Sequence, residues 1–164
     1  MSARAGRQFE TREIAGLLGV TPRRIEGWVE QKLLVPRVSA AGVGSRRRFL
    51  LESVARGAVL LALQSVFGER SEYVRLGLEA LIPFIPEVEA QLARGEILPP
   101  ERNVMILMVD EGRQVRAGYG DWGAEDAAVV GRALANNDDV VLVPLSGWLA
   151  VVLERLEDLE RARP

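Results

Sequence analysis

Thr11-Arg12-Glu13-Ile14-Ala15-Gly16-Leu17-Leu18-Gly19-Val20-Thr21-Pro22-Arg23-Arg24-Ile25-Glu26-Gly27-Trp28-Val29 is the stretch on which the fold turns. Ile14, Leu17 and Leu18 fall on one face of a short helix, and the Thr11 hydroxyl is placed to cap its start. Gly19 stops that helix. Thr21-Pro22 then opens a second one: threonine caps free amides, and proline sits in the first turn, where its missing N–H costs nothing. Ile25, Trp28 and Val29 make the packed side of this second helix, so Arg23 and Arg24, with Glu26 and Gln31, face elsewhere. The pattern is helix-turn-helix, and the outward side of its second helix is the expected recognition surface.

Working outward, Lys32-Leu33-Leu34-Val35-Pro36 leads into Arg37-Val38, then Ser39-Ala40-Ala41-Gly42-Val43-Gly44-Ser45, then Arg46-Arg47-Arg48-Phe49. Two short extended segments around small residues and two glycines predict a hairpin. Side chains alternate along a strand, so Arg47 shares a side with Phe49 while Arg46 and Arg48 lie opposite. At least one arginine face is therefore exposed, with guanidinium groups suited to bidentate contact with phosphate oxygens. Leu50 to Phe67 follows as a helix apolar on nearly every side, which belongs in a core. Together these elements predict an N-terminal winged helix that binds double-stranded DNA.

Over about its first 75 residues the chain resembles the MerR family of bacterial transcription regulators, in the order helix, turn, helix, Leu-Leu-x-Pro, wing and third helix. Thr21-Pro22-Arg23-Arg24-Ile25 is similar to the family's start of the recognition helix, and Trp28 falls where an aromatic is usual. Arg47 and Phe49 match the wing's arginine and aromatic. Glu26 and Gly27 depart from the arginine and tyrosine common there, and Leu50 and Ser53 replace the usual serine and aspartate of the third helix. The resemblance implies a sequence-specific regulator acting as a homodimer, with two recognition helices in successive major grooves of a roughly palindromic site. It also implies RNA polymerase at a promoter as a further partner. The residues expected at the DNA are Thr11, Thr21, Arg23, Arg24, Trp28, Arg37, Arg46, Arg47 and Arg48.

Charge divides the chain. Residues 1–70 carry 12 basic against 6 acidic side chains, a net of +6, whereas residues 71–164 carry 9 against 17, a net of −8. A basic head fits a polyanion, and an acidic tail is expected to point away from it. The chain holds neither cysteine nor histidine, which excludes disulfides, thiolate metal sites, histidine bases and histidine-held cofactors. The cysteine-dependent sensing of several MerR relatives is thereby excluded. The opening residues predict no signal peptide, and no apolar run reaches membrane-spanning length, so a cytoplasmic location is expected.

Connecting helices are expected over 71–95, from Ser71 to Ile82 with Val74, Leu78, Leu81 and Ile82 on one side, and from Pro86 through Leu92. Gly95 to Asn103 reads as a linker. Residues 103–164 alternate differently: strands at Val104–Val109, Arg113–Ala117 and Val140–Val143, and helices at 124–135 and Ser146–Arg161. The expected class is α+β, with domains at 1–70 and 103–164, the second a small α/β dimerisation or regulatory module. Leu145, Leu149, Val152, Leu156 and Leu159 recur at alternating intervals of four and three along the last helix, a heptad-like seam expected to join two chains. The same stripe also fits a helix that covers its own domain.

Other constellations point less far. Asp110-Glu111 and Asp138-Asp139 each abut a turn, where acidic residues are common solvated turn formers, so no metal is expected. Tyr119, Trp122 and Trp148 fit a small core better than a ligand pocket. No nucleophile lies beside a base and no glycine loop cradles phosphate, so neither an enzyme nor a cofactor is expected. The alternative function is a non-regulatory winged-helix DNA-binding factor, such as an excisionase-like architectural protein or a phage packaging adaptor.

Overall fold

Helix α1 (Thr11–Leu18) starts directly after a two-residue strand, β1 (Phe9–Glu10). A computed structural model describes residues 4, 6–38, 46–69, 72–99, 102–109, 114–120, 128, 131–132, 135 and 139–162. The capping residue of α1 is Glu10, one position before the expected Thr11, which is instead the first helical residue. Glu13 makes the difference: its carboxylate accepts the Glu10 backbone N–H at 2.8 Å, which anchors the start one residue earlier. Gly19 ends α1 in the left-handed region, at φ 67°, and the Val20 N–H donates to the Ala15 carbonyl at 3.0 Å.

Thr21 caps α2 (Pro22–Glu30), its Oγ1 accepting the Arg24 N–H at 3.3 Å with Pro22 in the first turn, as the sequence predicts. The helix packs through Ile25 and Trp28, while Val29, expected with them, is only half-buried. Lys32 then takes a left-handed φ of 60°, and the Leu33 and Leu34 amides both return to the Trp28 carbonyl, at 2.8 and 3.2 Å. This turn sends Leu33 and Leu34 into the core.

Strand β2 (Arg48–Phe49) pairs antiparallel with β1, Phe9 opposite Phe49 and Glu10 opposite Arg48. On its other side Arg48 bridges Val38, so a third extended segment joins the pair. The Ser39–Ser45 turn expected between them lies outside the described residues.

Helix α3 (Leu51–Phe67) is buried along most of its length, as its all-round apolar sequence predicts. It is shared between two compact units that interleave along the chain. One comprises Met1–Ala58, Ile85–Ile97 and Trp148–Pro164; the other comprises Val59–Phe84 and Leu98–Gly147. The sequence reading instead cut the chain into consecutive pieces at 70 and 103. A helix apolar on every face supplies both cores, one with each half.

In the first unit, α5 (Ile85–Arg94) buries Ile85, Val88, Gln91 and Leu92. The N-terminal half of α3 approaches α1 closely enough that a Cβ at Gly57 would collide with a Leu18 methyl group. The last helix, α6 (Ser146–Arg161), has the bounds the sequence predicts. Its stripe does not form a free seam: Leu149 and Leu156 are 0% exposed and Val152 is buried within the single chain, with Leu159 half-buried. The expected dimer surface is thus spent on the unit's own core, which an amphipathic stripe serves equally well. Arg155 fixes the arrangement, its Nη1 donating to the Leu17 carbonyl at the end of α1 at 3.2 Å. Arg4 grips Glu160 with Nη2 to Oε2 at 2.8 Å, tying the N-terminal residues to α6.

The second unit sets α4 (Glu72–Leu81) beside an antiparallel sheet of order β4-β3-β5: β3 (Val104–Val109), β4 (Val115–Gly120) and β5 (Asp139–Pro144). The molecule is mixed α and β with small antiparallel sheets, compatible with the α+β class that the sequence predicts. β4 begins two residues later than expected and continues to Gly120. Gly77 of α4 admits the sheet closely, since a Cβ there would sit 3.2 Å from Leu107 Cδ1. Ile82, expected on the apolar side of α4, starts a 3-10 turn (Ile82–Phe84) instead and is exposed. Within the span 124–135 expected to be helical, the described residues Ala128, Gly131, Arg132 and Ala135 are helical. Leu145, the first residue of the expected seam, is buried in this unit.

Candidate nucleic-acid interface

All the residues expected at DNA belong to the first unit. The burial of Ile25 and Trp28 fixes the roll of α2 and turns Arg23 and Glu26 to solvent. Thr21 is exposed at the helix start, where backbone amides and the positive end of the helix dipole favour an anion. Arg24 is half-buried, with its guanidinium carbon 5.3 Å from the centroid of the Trp28 ring. Trp28 itself is only 4% exposed, so its expected place at the interface is corrected. It is a core residue whose π-face holds Arg24 in position. Thr11 is half-buried in the first turn of α1, away from the capping role read from the sequence.

The base of the hairpin is held by two contacts that sequence reasoning missed. The Arg56 Nε donates to the Leu33 carbonyl at 2.7 Å, and the Ser53 Oγ donates to the Val35 carbonyl at 3.2 Å. Both come from α3 and fix the Leu33–Pro36 segment that feeds the hairpin. The Ser53 acceptor lies 18 residues away in sequence, a separation that local pattern does not reveal.

Beyond that base, Arg37 is exposed and its N–H donates to the Arg48 carbonyl at 2.8 Å. Arg46 and Arg48 converge on Glu10, with Nη1 to carboxylate distances of 3.1 and 2.9 Å. Their shared side agrees with strand alternation. Arg46 is exposed, while Arg47 and Arg48 are half-buried. The Glu10 carboxyl is held below its ordinary value of 4.5, chiefly by the hydrogen bond from Arg46, which desolvation opposes, and then by the charges of Arg46 and Arg48 and the hydrogen bond from Arg48. Glu10 is thus an internal anion that occupies guanidinium groups of the hairpin. Sequence could have placed a carboxylate near them only by pairing β1 with β2, and a two-residue strand carries no periodic signal.

Of the remaining constellations, only Tyr119, Trp148 and Asp139 lie among the described residues. Tyr119 donates its hydroxyl to the Asn103 side-chain oxygen and its ring lies 6.3 Å from that of Phe84. Asn103, read as linker, is fully buried, and its backbone carbonyl accepts the Leu145 N–H at 3.0 Å. Trp148 belongs to the other unit, and Trp122 lies outside the described residues, as do Asp110, Glu111 and Asp138. Among the described residues no helix is long and apolar enough to cross a membrane. No protein-family model matches this chain, and no curated protein does.

Proposed function

We propose that this chain is a MerR-like, sequence-specific DNA-binding regulator of transcription whose first unit contains a winged helix-turn-helix and which acts as a homodimer. The observation that carries the reading is the roll of α2: its apolar side is buried, and Thr21, its capping residue, gathers with Arg23 and Arg24 at its start, two of the three exposed. In such a unit the start of α2 reads base edges, and the hairpin arginines Arg46, Arg47 and Arg48 grip phosphates on either side. Trp28 contributes as the platform under Arg24, and Arg37 as a cation at the hairpin base.

Binding to duplex DNA across a range of salt concentrations tests this directly. Log affinity should fall linearly with log salt, with a slope of about −0.9 per phosphate neutralised. Affinity that does not change with salt contradicts the proposal. Occupancy at promoters in cells supports a regulator, whereas occupancy confined to attachment or packaging sites supports a non-regulatory factor.

A further inference from the structure

The two edges of the three-stranded sheet differ in kind. β4 carries Arg116, Gly118 and Gly120, a charge and two glycines that discourage further pairing. β5 reads Asp139-Val140-Val141-Leu142-Val143-Pro144: four consecutive good strand formers, with its charge at one end and proline at the other. Leu142, in the middle, is 46% exposed.

The direction of the main-chain groups follows from one hydrogen bond. The Leu145 N–H points toward β3, donating to the Asn103 carbonyl. Main-chain groups alternate sides along an antiparallel strand, so those of Val141 and Val143 also face β3. Those of Val140, Leu142 and Pro144 face outward. Val140 and Leu142 each present a donor and an acceptor there, and Pro144 presents a carbonyl alone. Among the described residues only β3 pairs with β5, and the outer edge carries no strand.

We propose that the outer edge of β5 is the pairing surface for β5 of a second copy of this chain, antiparallel about a two-fold axis at Leu142, giving one six-stranded sheet across the dimer. The strand is complementary to itself in that arrangement. Each Leu142 exchanges both main-chain hydrogen bonds with its counterpart, and each Val140 N–H meets a Pro144 carbonyl. The absent proline N–H falls at the rim of the ribbon, where water reaches the unmatched acceptor. Antiparallel pairing sends the two Asp139 carboxylates to opposite ends, whereas parallel pairing would set them side by side. The two Leu142 side chains meet on the face that also carries Ile106, its neighbour across the ladder. Because a two-fold interface uses the same patch on both copies, the assembly closes at two chains, with the blunted β4 strands at the two outer edges of the joined sheet. This pairing does not depend on the DNA-binding reading, and its test contains no DNA.

The chain has no cysteine, so Leu142→Cys introduces a single thiol into it. Residues directly opposite in a hydrogen-bonded antiparallel pair have Cα atoms about 5.5 Å apart, inside the span of about 4.4–6.8 Å that a disulfide bridges. Mild oxidation should give a covalent dimer that reductant dissolves, while Arg116→Cys on the opposite edge should not. Light scattering should show a dimer for the unsubstituted chain and a monomer for Leu142→Lys, with circular dichroism unchanged. A monomeric parent chain, or a dimer that survives Leu142→Lys and does not cross-link at position 142, overturns the proposal. If Leu142→Lys fails to fold, cross-linking decides alone, and its failure overturns the proposal.

Discussion

Arg24 shows how one side chain is assigned its role by a neighbour. Stacked on the buried Trp28 ring, its guanidinium has lost part of its rotamer freedom before any ligand arrives. Replacing Arg23 or Arg24 by alanine should cost about 1–3 kcal/mol on the preferred sequence and relax preference at one position in each half-site. Affinities for the preferred site and its single-base variants measure this, and equal losses on every sequence would reassign the residue to backbone positioning. Glu10 pairs with Arg46 and Arg48, so, if the hairpin grips phosphates as proposed, Glu10→Gln should tighten binding to all DNA sequences alike in a titration with duplexes of unrelated sequence. Its carboxyl is held below the ordinary value in the fold, so its pairing stabilises the protein at neutral pH and that contribution is lost as pH falls through the lowered value. Alanine at Arg46, Arg47 and Arg48 together should flatten the salt dependence by about one unit of slope per phosphate contact removed. An unchanged slope would remove the hairpin from the interface.

At the scale of elements, α6 and α3 carry the sharpest expectations. Leu156 is fully buried in its own chain, so Leu156→Glu should unfold the first unit, at a cost of about 3–5 kcal/mol for an unpaired buried charge. A well-folded monomer, seen as an unchanged circular dichroism melt with halved mass, would instead restore the stripe as a seam between chains. Gly57→Val should destabilise by about 1–3 kcal/mol in thermal or denaturant unfolding, because the added carbons enter space held by Leu18. The element types and most bounds were legible in the sequence. Thr21-Pro22, Gly19 and the run Val104–Val109 are local signals whose physics acts within a few residues. The α6 stripe was legible as apolar but not by destination, since intervals of three and four describe a coiled-coil seam and a core-facing helix equally. The β1–β2 pair, and with it the Glu10 site, was invisible because two residues cannot establish an alternation.

For the whole molecule, the charge split was legible and the division into units was not. The first unit draws on three separate segments and ends with α6, an arrangement that no composition shift along the chain marks. The basic excess lies in the first segment of the first unit: residues 1–58 carry 11 basic against 5 acidic side chains, whereas its segments 85–97 and 148–164 together carry 4 against 7, so the unit as a whole keeps a net of +3. Selection of bound sequences from random duplex DNA with this chain decides whether it is a sequence-specific DNA binder. Enrichment of one motif with two-fold symmetry, its half-sites about one helical turn apart, is expected; recovery of unenriched sequence, or of no DNA at all, would overturn the DNA-binding proposal.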